Sequence, residues 1–68
     1  MKLVINFKEE EYEKEPLTVS EMLKLKKVKF PHLMRVQLNG KLLKKSEYDK
    51  VELRENDKIN LMFPIGGG

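Results

Sequence analysis

Cysteine is absent from the 68 residues, which excludes disulfides, thiolate metal sites, iron–sulfur clusters and a cysteine nucleophile on this chain. Histidine occurs once, at His32, with no second imidazole to share an ion, so no metal site is expected. The longest apolar run falls far short of the ~20 residues needed to span a bilayer. The N-terminus lacks a signal-peptide pattern, and the expected location is the cytoplasm, with no membrane partner. Neither sign of charge dominates: Lys+Arg number 14 and Asp+Glu 11, a net charge of +3 at pH 7, and aromatics make up only 7%. A phosphate-binding surface wants a concentrated basic face, with aromatics for single strands, so no nucleic-acid partner is expected. Glycine is scarce, and all but one of the 4 stand together at Gly66, Gly67 and Gly68. A chain this short makes one small domain, with no room for an enclosed catalytic cavity and with roughly 60% of its unfolded surface buried. The expectation is a monomer that is not an enzyme.

What is present is patterned. Residues 2–7 alternate, placing Leu3, Ile5 and Phe7 on one face of a first strand. Residues 8–11 read as a polar turn and residues 12–15 as a charged return strand, whose acidic run has neither the spacing nor the central glycine of a calcium loop. Leu17-Thr18-Val19-Ser20-Glu21-Met22 is a helix start: Thr18 caps the Glu21 amide, Glu21 reaches back to Thr18, and Leu17 and Met22 staple the entry. Val19, Met22 and Leu23 form the buried stripe, with Leu25 at its edge. The helix is expected to end near Lys27, and Pro31 to push Phe30 toward extended backbone.

Met34, Val36 and Leu38 then alternate with Leu33, Arg35 and Gln37, and Asn39-Gly40 signals a two-residue hairpin turn. Lys41, Leu42 and Leu43 make a short return strand, residues 46–50 a polar turn, and Val51, Glu52 and Leu53 rejoin the core. After the turn at residues 55–57, Ile59, Leu61 and Phe63 alternate with Lys58, Asn60 and Met62 in a last strand that Pro64 stops. One helix cannot cover both faces of a sheet, so the class is α+β. The arrangement expected is a β-grasp, a mixed sheet of four to five strands on one short helix, with the last strand parallel to the first. Residues 1–64 form the domain and residues 65–68 a flexible tail. A triple glycine is either a frayed end or an arm able to thread a narrow channel, because it carries no Cβ atoms.

The N-terminal hairpin, the helix opened by Thr18-Val19-Ser20-Glu21-Met22-Leu23, the Asn39-Gly40 hairpin, the Val51 to Asp57 region and a strand running into Gly67-Gly68 together resemble the ubiquitin-like sulfur carriers. The resemblance is to the ThiS family of the thiamine pathway, and also to MoaD, the small subunit of molybdopterin synthase, through Phe63-Pro64. It spans the chain, and only Gly67-Gly68 is chemically diagnostic. One departure is that Phe7-Lys8-Glu9-Glu10 stands where many thiamine carriers place an early Asn-Gly. The resemblance implies that an E1-like enzyme uses ATP to adenylate the Gly68 carboxylate and that sulfur replaces AMP to give a thiocarboxylate. It implies no cofactor bound to this chain, no catalytic residue on it, and a thiazole synthase or molybdopterin synthase large subunit as acceptor. Gly66 and Gly67 serve by lacking side chains. A ubiquitin-like protein modifier and a plain β-grasp interaction module share most of these features.

Alternation also leaves apolar side chains on the face away from the helix. Val4 and Met62 are expected side by side there, with Leu33 and Arg35 on the next strand and Pro64 and Ile65 beyond, as a docking patch for the activating enzyme.

Overall fold

In a computed structural model that describes residues 1–63, the first strand, β1 (Lys2–Ile5), buries Leu3 and Ile5 as its alternation requires. It stops two residues earlier than the pattern suggests. Asn6 and Phe7 both take positive φ, 49° and 69°, and reverse the chain in a two-residue turn. The return strand is therefore β2 (Lys8–Glu11), in antiparallel register with Ile5 opposite Lys8 and Lys2 opposite Glu11. This corrects the expected turn at 8–11 and strand at 12–15. It also corrects Phe7, which leaves the inner face and is 91% exposed at the turn. Asparagine is the residue other than glycine that most readily enters left-handed backbone, so Asn6 opens the turn that Asn-Gly would make elsewhere. Tyr12, freed from a strand position, joins the core.

Helix α1 (Val19–Leu25) begins as its cap dictates. The Glu21 N–H donates to Thr18 Oγ1 at 3.2 Å and the Thr18 N–H donates to Glu21 Oε1 at 2.9 Å, closing the capping box. Lys14 Nζ lies 2.8 Å from Glu21 Oε2. The Lys14 hydrogen bond, followed by the Thr18 backbone hydrogen bond, draws the Glu21 carboxyl down from 4.5 to about 2. A carboxyl whose folded value lies below its unfolded value stabilises the fold above about pH 4.5, and that contribution is lost as pH falls toward 2. Glu21→Gln should flatten part of the decline in melting temperature between pH 4.5 and 2. A pH profile identical to that of the unsubstituted chain would show that this carboxylate contributes nothing.

Val19, Met22 and Leu23 of α1 are buried against the sheet. The helix ends at Leu25 with Lys26 as its cap, and Lys27 turns left-handed at φ 58°. Phe30 is also left-handed, at φ 54° and ψ 57°, rather than extended. Right-handed helical backbone is disfavoured before Pro31, and in this conformation the Phe30 carbonyl accepts the Leu33 N–H at 2.9 Å. A 3-10 turn, Pro31–Leu33, follows. Leu33 thus sits in that turn, 40% exposed, and not on the strand with Arg35 as expected.

Strand β3 (Arg35–Leu38) buries Val36, and Asn39 and Gly40, at φ 50° and 86°, turn it into the two-residue β4 (Lys41–Leu42). A second 3-10 turn at Lys45–Glu47 leads to Tyr48, which is buried and whose hydroxyl donates to the Met34 carbonyl at 2.8 Å. Leu53 re-enters the core, and Glu52 bridges to Thr18 beside the helix start. The last strand, β5 (Lys58–Met62), completes a five-stranded sheet in the order β2-β1-β5-β3-β4. β5 runs parallel to β1 and antiparallel to β3. This is the β-grasp expected, with the core between α1 and one face of the sheet.

Candidate functional site

The last strand occupies the middle of the sheet, so its C-terminal end is framed by elements from both halves of the chain. On one side Asn6, at the first hairpin turn, accepts the Leu61 N–H on its side-chain Oδ1 at 2.8 Å. On the other, Arg35 pairs with Met62 and Val36 with Leu61. On the helix side Leu61 and Phe63 line a shallow concavity with Asn6, Lys26, Val28, Lys29 and Met34. Phe63 was expected in the core. It points to the face that alternation assigned, but the 7-residue α1 does not reach far enough to cover it, and it stays 53% exposed.

The hairpin that carries Asn6 is tied to the end of α1 through Glu10. Lys26 Nζ and the Tyr12 hydroxyl each donate to the Glu10 carboxylate at 2.7 Å. Burial works to raise the Glu10 carboxyl, but the hydrogen bonds from Lys26 and Tyr12 outweigh it and hold the group below its ordinary value. Burial first, and then Glu10, push the Tyr12 phenol up. Lys26 is thereby engaged within the fold, whereas Lys29 and Arg35 are exposed beside the strand end. The rim of the site is basic and its floor apolar.

The open face of the sheet carries the side chains that alternate with the core: Val4 on β1, Lys58, Asn60 and Met62 on β5, Arg35 and Gln37 on β3, and Leu42 on β4. Met62, 38% exposed, and Arg35 are cross-strand partners on this face. Val4 is on the same face but is paired with Lys58. At about 3.3 Å per residue it lies about 13 Å along the strand from Met62, so the two are not side by side. Alternation fixes which face a side chain takes and leaves the register between strands free. Leu33 stands off the strand, in its 3-10 turn. Pro64, Ile65, Gly66, Gly67 and Gly68 lie outside the described residues, as does the expected tail at 65–68.

Three residues at the site were missed by the sequence pattern. Asn6 is the acceptor for Leu61. Phe7 lines a depression on the open face with Val4, Lys58 and Asn60. Leu42 adds an exposed apolar side chain opposite Gln37. Only Asn6 carried a partial signal, since asparagine tolerates left-handed backbone, and nothing favoured Phe7 beside it in the turn. His32 is exposed, and its ring stands edge-on to Phe30 with ring centroids 6.4 Å apart. Among the described residues no group of three or more His, Cys, Asp or Glu side chains could hold a metal, and no helix is long and apolar enough to cross a membrane.

Comparison with known proteins places this geometry in context. The sequence model of the ThiS family matches residues 2–68. A crystal structure of the thiamine biosynthesis protein ThiS from Geobacter metallireducens is similar with a TM-score of 0.89 and 30% identity, covering 100% of both chains. A solution structure of a thiamine biosynthesis protein from the same organism gives a TM-score of 0.81 at 30% identity, over 100% of this chain and 88% of the other. A search of curated proteins found no significant match.

Proposed function

The chain belongs to the ThiS family of sulfur carriers, and we propose from this that Gly68, as terminal residue, carries sulfur as a thiocarboxylate for the thiazole of thiamine. A carboxylate is a poor electrophile. An E1-like enzyme would join it to ATP as an acyl-adenylate with release of pyrophosphate. A persulfide sulfur on the donor enzyme then attacks the carbonyl carbon and the C–O bond to AMP breaks, leaving an acyl disulfide; a second thiol of the donor attacks its own sulfur in that S–S bond, so the thiocarboxylate leaves and the donor is left as a disulfide. The resulting sulfur nucleophile is delivered to a thiazole synthase. This chain is the co-substrate of both enzymes and works in the cytoplasm as a monomer, with residues 1–64 as its domain and residues 65–68 as the arm.

The observation that carries the reading is the extent of the family match, which runs through the glycines to Gly68. The thiamine biosynthesis names of the similar structures support the thiamine branch over molybdopterin. Intact-mass measurement tests it. After incubation with an E1-like enzyme, ATP and a sulfur donor, a fraction of the protein should gain one oxygen-to-sulfur exchange at Gly68. A mass that never changes would overturn the reading.

We assign docking to Arg35 and Met62 on the open face, continuing into Pro64 and Ile65; Val4, paired with Lys58, and Leu33, in its 3-10 turn, lie apart from that pair. Met62→Glu should leave the melting temperature nearly unchanged, because the side chain is on the open face and its cross-strand partner is Arg35. Binding to the activating enzyme should weaken by about 1–3 kcal/mol, the range for a modest interface anchor. Calorimetric titration that finds unaltered affinity would remove Met62 from the docking surface.

A further inference from the structure

Asn6 does two things that no single backbone feature requires of one residue. The parallel ladder between β1 and β5 runs through the Val4 N–H donating to the Asp57 carbonyl and the Asn6 N–H donating to the Ile59 carbonyl, each at 2.9 Å. The next rung calls for a carbonyl on the β1 side to accept the Leu61 N–H, but at Asn6 the chain enters left-handed backbone, φ 49°, and turns toward β2. The Asn6 side-chain carbonyl occupies that place, accepting from Leu61 at 2.8 Å. β5 is thus held on both flanks for one more rung, by Asn6 on one side and by β3 on the other.

We propose that Asn6 is a positioning residue. Its side chain sets the direction in which the chain leaves the sheet after Leu61, and so the aim of the reacting end into the activating enzyme. The kinetic part of this rests on the sulfur-carrier reading. The chemistry demanded at position 6 is narrow: a residue that tolerates positive φ and also carries an acceptor oxygen on a short side chain, which asparagine and aspartate supply. Glycine meets the first condition and fails the second. Positioning acts after docking, because the open face that docks carries Arg35 and Met62, and Asn6 lies at the strand flank. Loss of the Asn6 acceptor therefore lowers kcat for thiocarboxylate formation and leaves KM for the carrier in place.

The test uses the full chain with Asn6→Gly and Asn6→Asp. Amide exchange at Leu61, residual dipolar couplings at Met62 and Phe63, and steady-state kinetics with an E1-like enzyme, ATP and a sulfur donor are measured together. In Asn6→Gly the Leu61 amide should exchange about fivefold faster, the loss of one ordinary hydrogen bond, with core amides unchanged. The N–H vector at Phe63 should reorient while that at Met62, paired with Arg35 on β3, stays in place, and kcat should fall several-fold at constant KM. Asn6→Asp should restore all three. Leu61 exchange that is unchanged in Asn6→Gly overturns the proposal, as does unchanged kcat, or an Asp variant that behaves like the Gly variant. An unsubstituted chain that gains no sulfur overturns the carrier reading and the kinetic role together, while Leu61 exchange still reports whether Asn6 holds the strand.

Discussion

A chain extended by one residue beyond Gly68, or lacking Gly68, should fold and melt as the unsubstituted chain does and gain no sulfur. Folding is indifferent because the buried side chains of the described residues run from Leu3 to Ile59, well before the glycines. The chemistry is not indifferent. In the carrier mechanism the electrophile is the carbonyl carbon of one particular carboxylate. Adding a residue converts that carboxylate into an amide and moves the new one a full residue beyond the position the proposed mechanism requires. Deleting Gly68 withdraws it by the same step. At the reacting centre a displacement far smaller than one residue is enough to disrupt alignment. Intact mass and thermal melting of both variants, side by side, make the measurement. Sulfur incorporation into the extended chain would rule the mechanism out.

Met22→Ala should have the opposite profile, with the reacting end intact and the domain weakened. Met22 is wholly buried on the sheet-facing stripe of α1, in one cluster with Leu3, Ile5, Val36 and Ile59. Truncating a buried methionine to alanine removes its transfer energy and leaves a cavity, about 2–5 kcal/mol together. The 68 residues support a total stability of only about 3–10 kcal/mol at usual per-residue values. The variant should therefore melt at least ~10 °C lower, at about 4–8 °C per kcal/mol for a domain of this size. Leu25→Ala, an exposed position at the edge of the core stripe, is the control and should change stability by less than about 0.5 kcal/mol. A melting temperature for Met22→Ala within a few degrees of the original would mean that the helix repacks, and that the sheet alone holds the fold.

How far the fold was legible depended on whether the determining contacts were local. The helix start was readable because every partner of the capping box lies between Thr18 and Glu21. The second hairpin was readable because Asn39-Gly40 states its turn type in two letters. The first hairpin was not, since Asn6-Phe7 makes the same reversal with a bulky residue at φ 69°, which no propensity favours. That misplacement moved β2 by four residues and sent Phe7 to the wrong face. At the candidate site alternation assigned Met62 and Arg35 to the open face but could not give the register between β1 and β5, which joins residues more than fifty positions apart in the chain. The bond from Leu61 to Asn6 was hidden for the same reason. Phe63 shows a further limit: a pattern gives the direction of a side chain, whereas its burial depends on whether another element extends over it.

The strand order has a consequence for synthesis. β1 and β3 do not touch as partners; each half of the sheet reaches the other only through β5, the last of the described strands to be synthesised. A nascent chain that ends before Lys58 holds two separate hairpins and an amphipathic helix with no continuous sheet to cover, and isolated hairpins are marginal in water. The long loop closure between β1 and β5 must also precede the contacts that reward it. A polypeptide cut short before β5 therefore lacks the continuous sheet and is open to proteolysis. The order of strands thus makes the continuous open face of the sheet conditional on synthesis of β5.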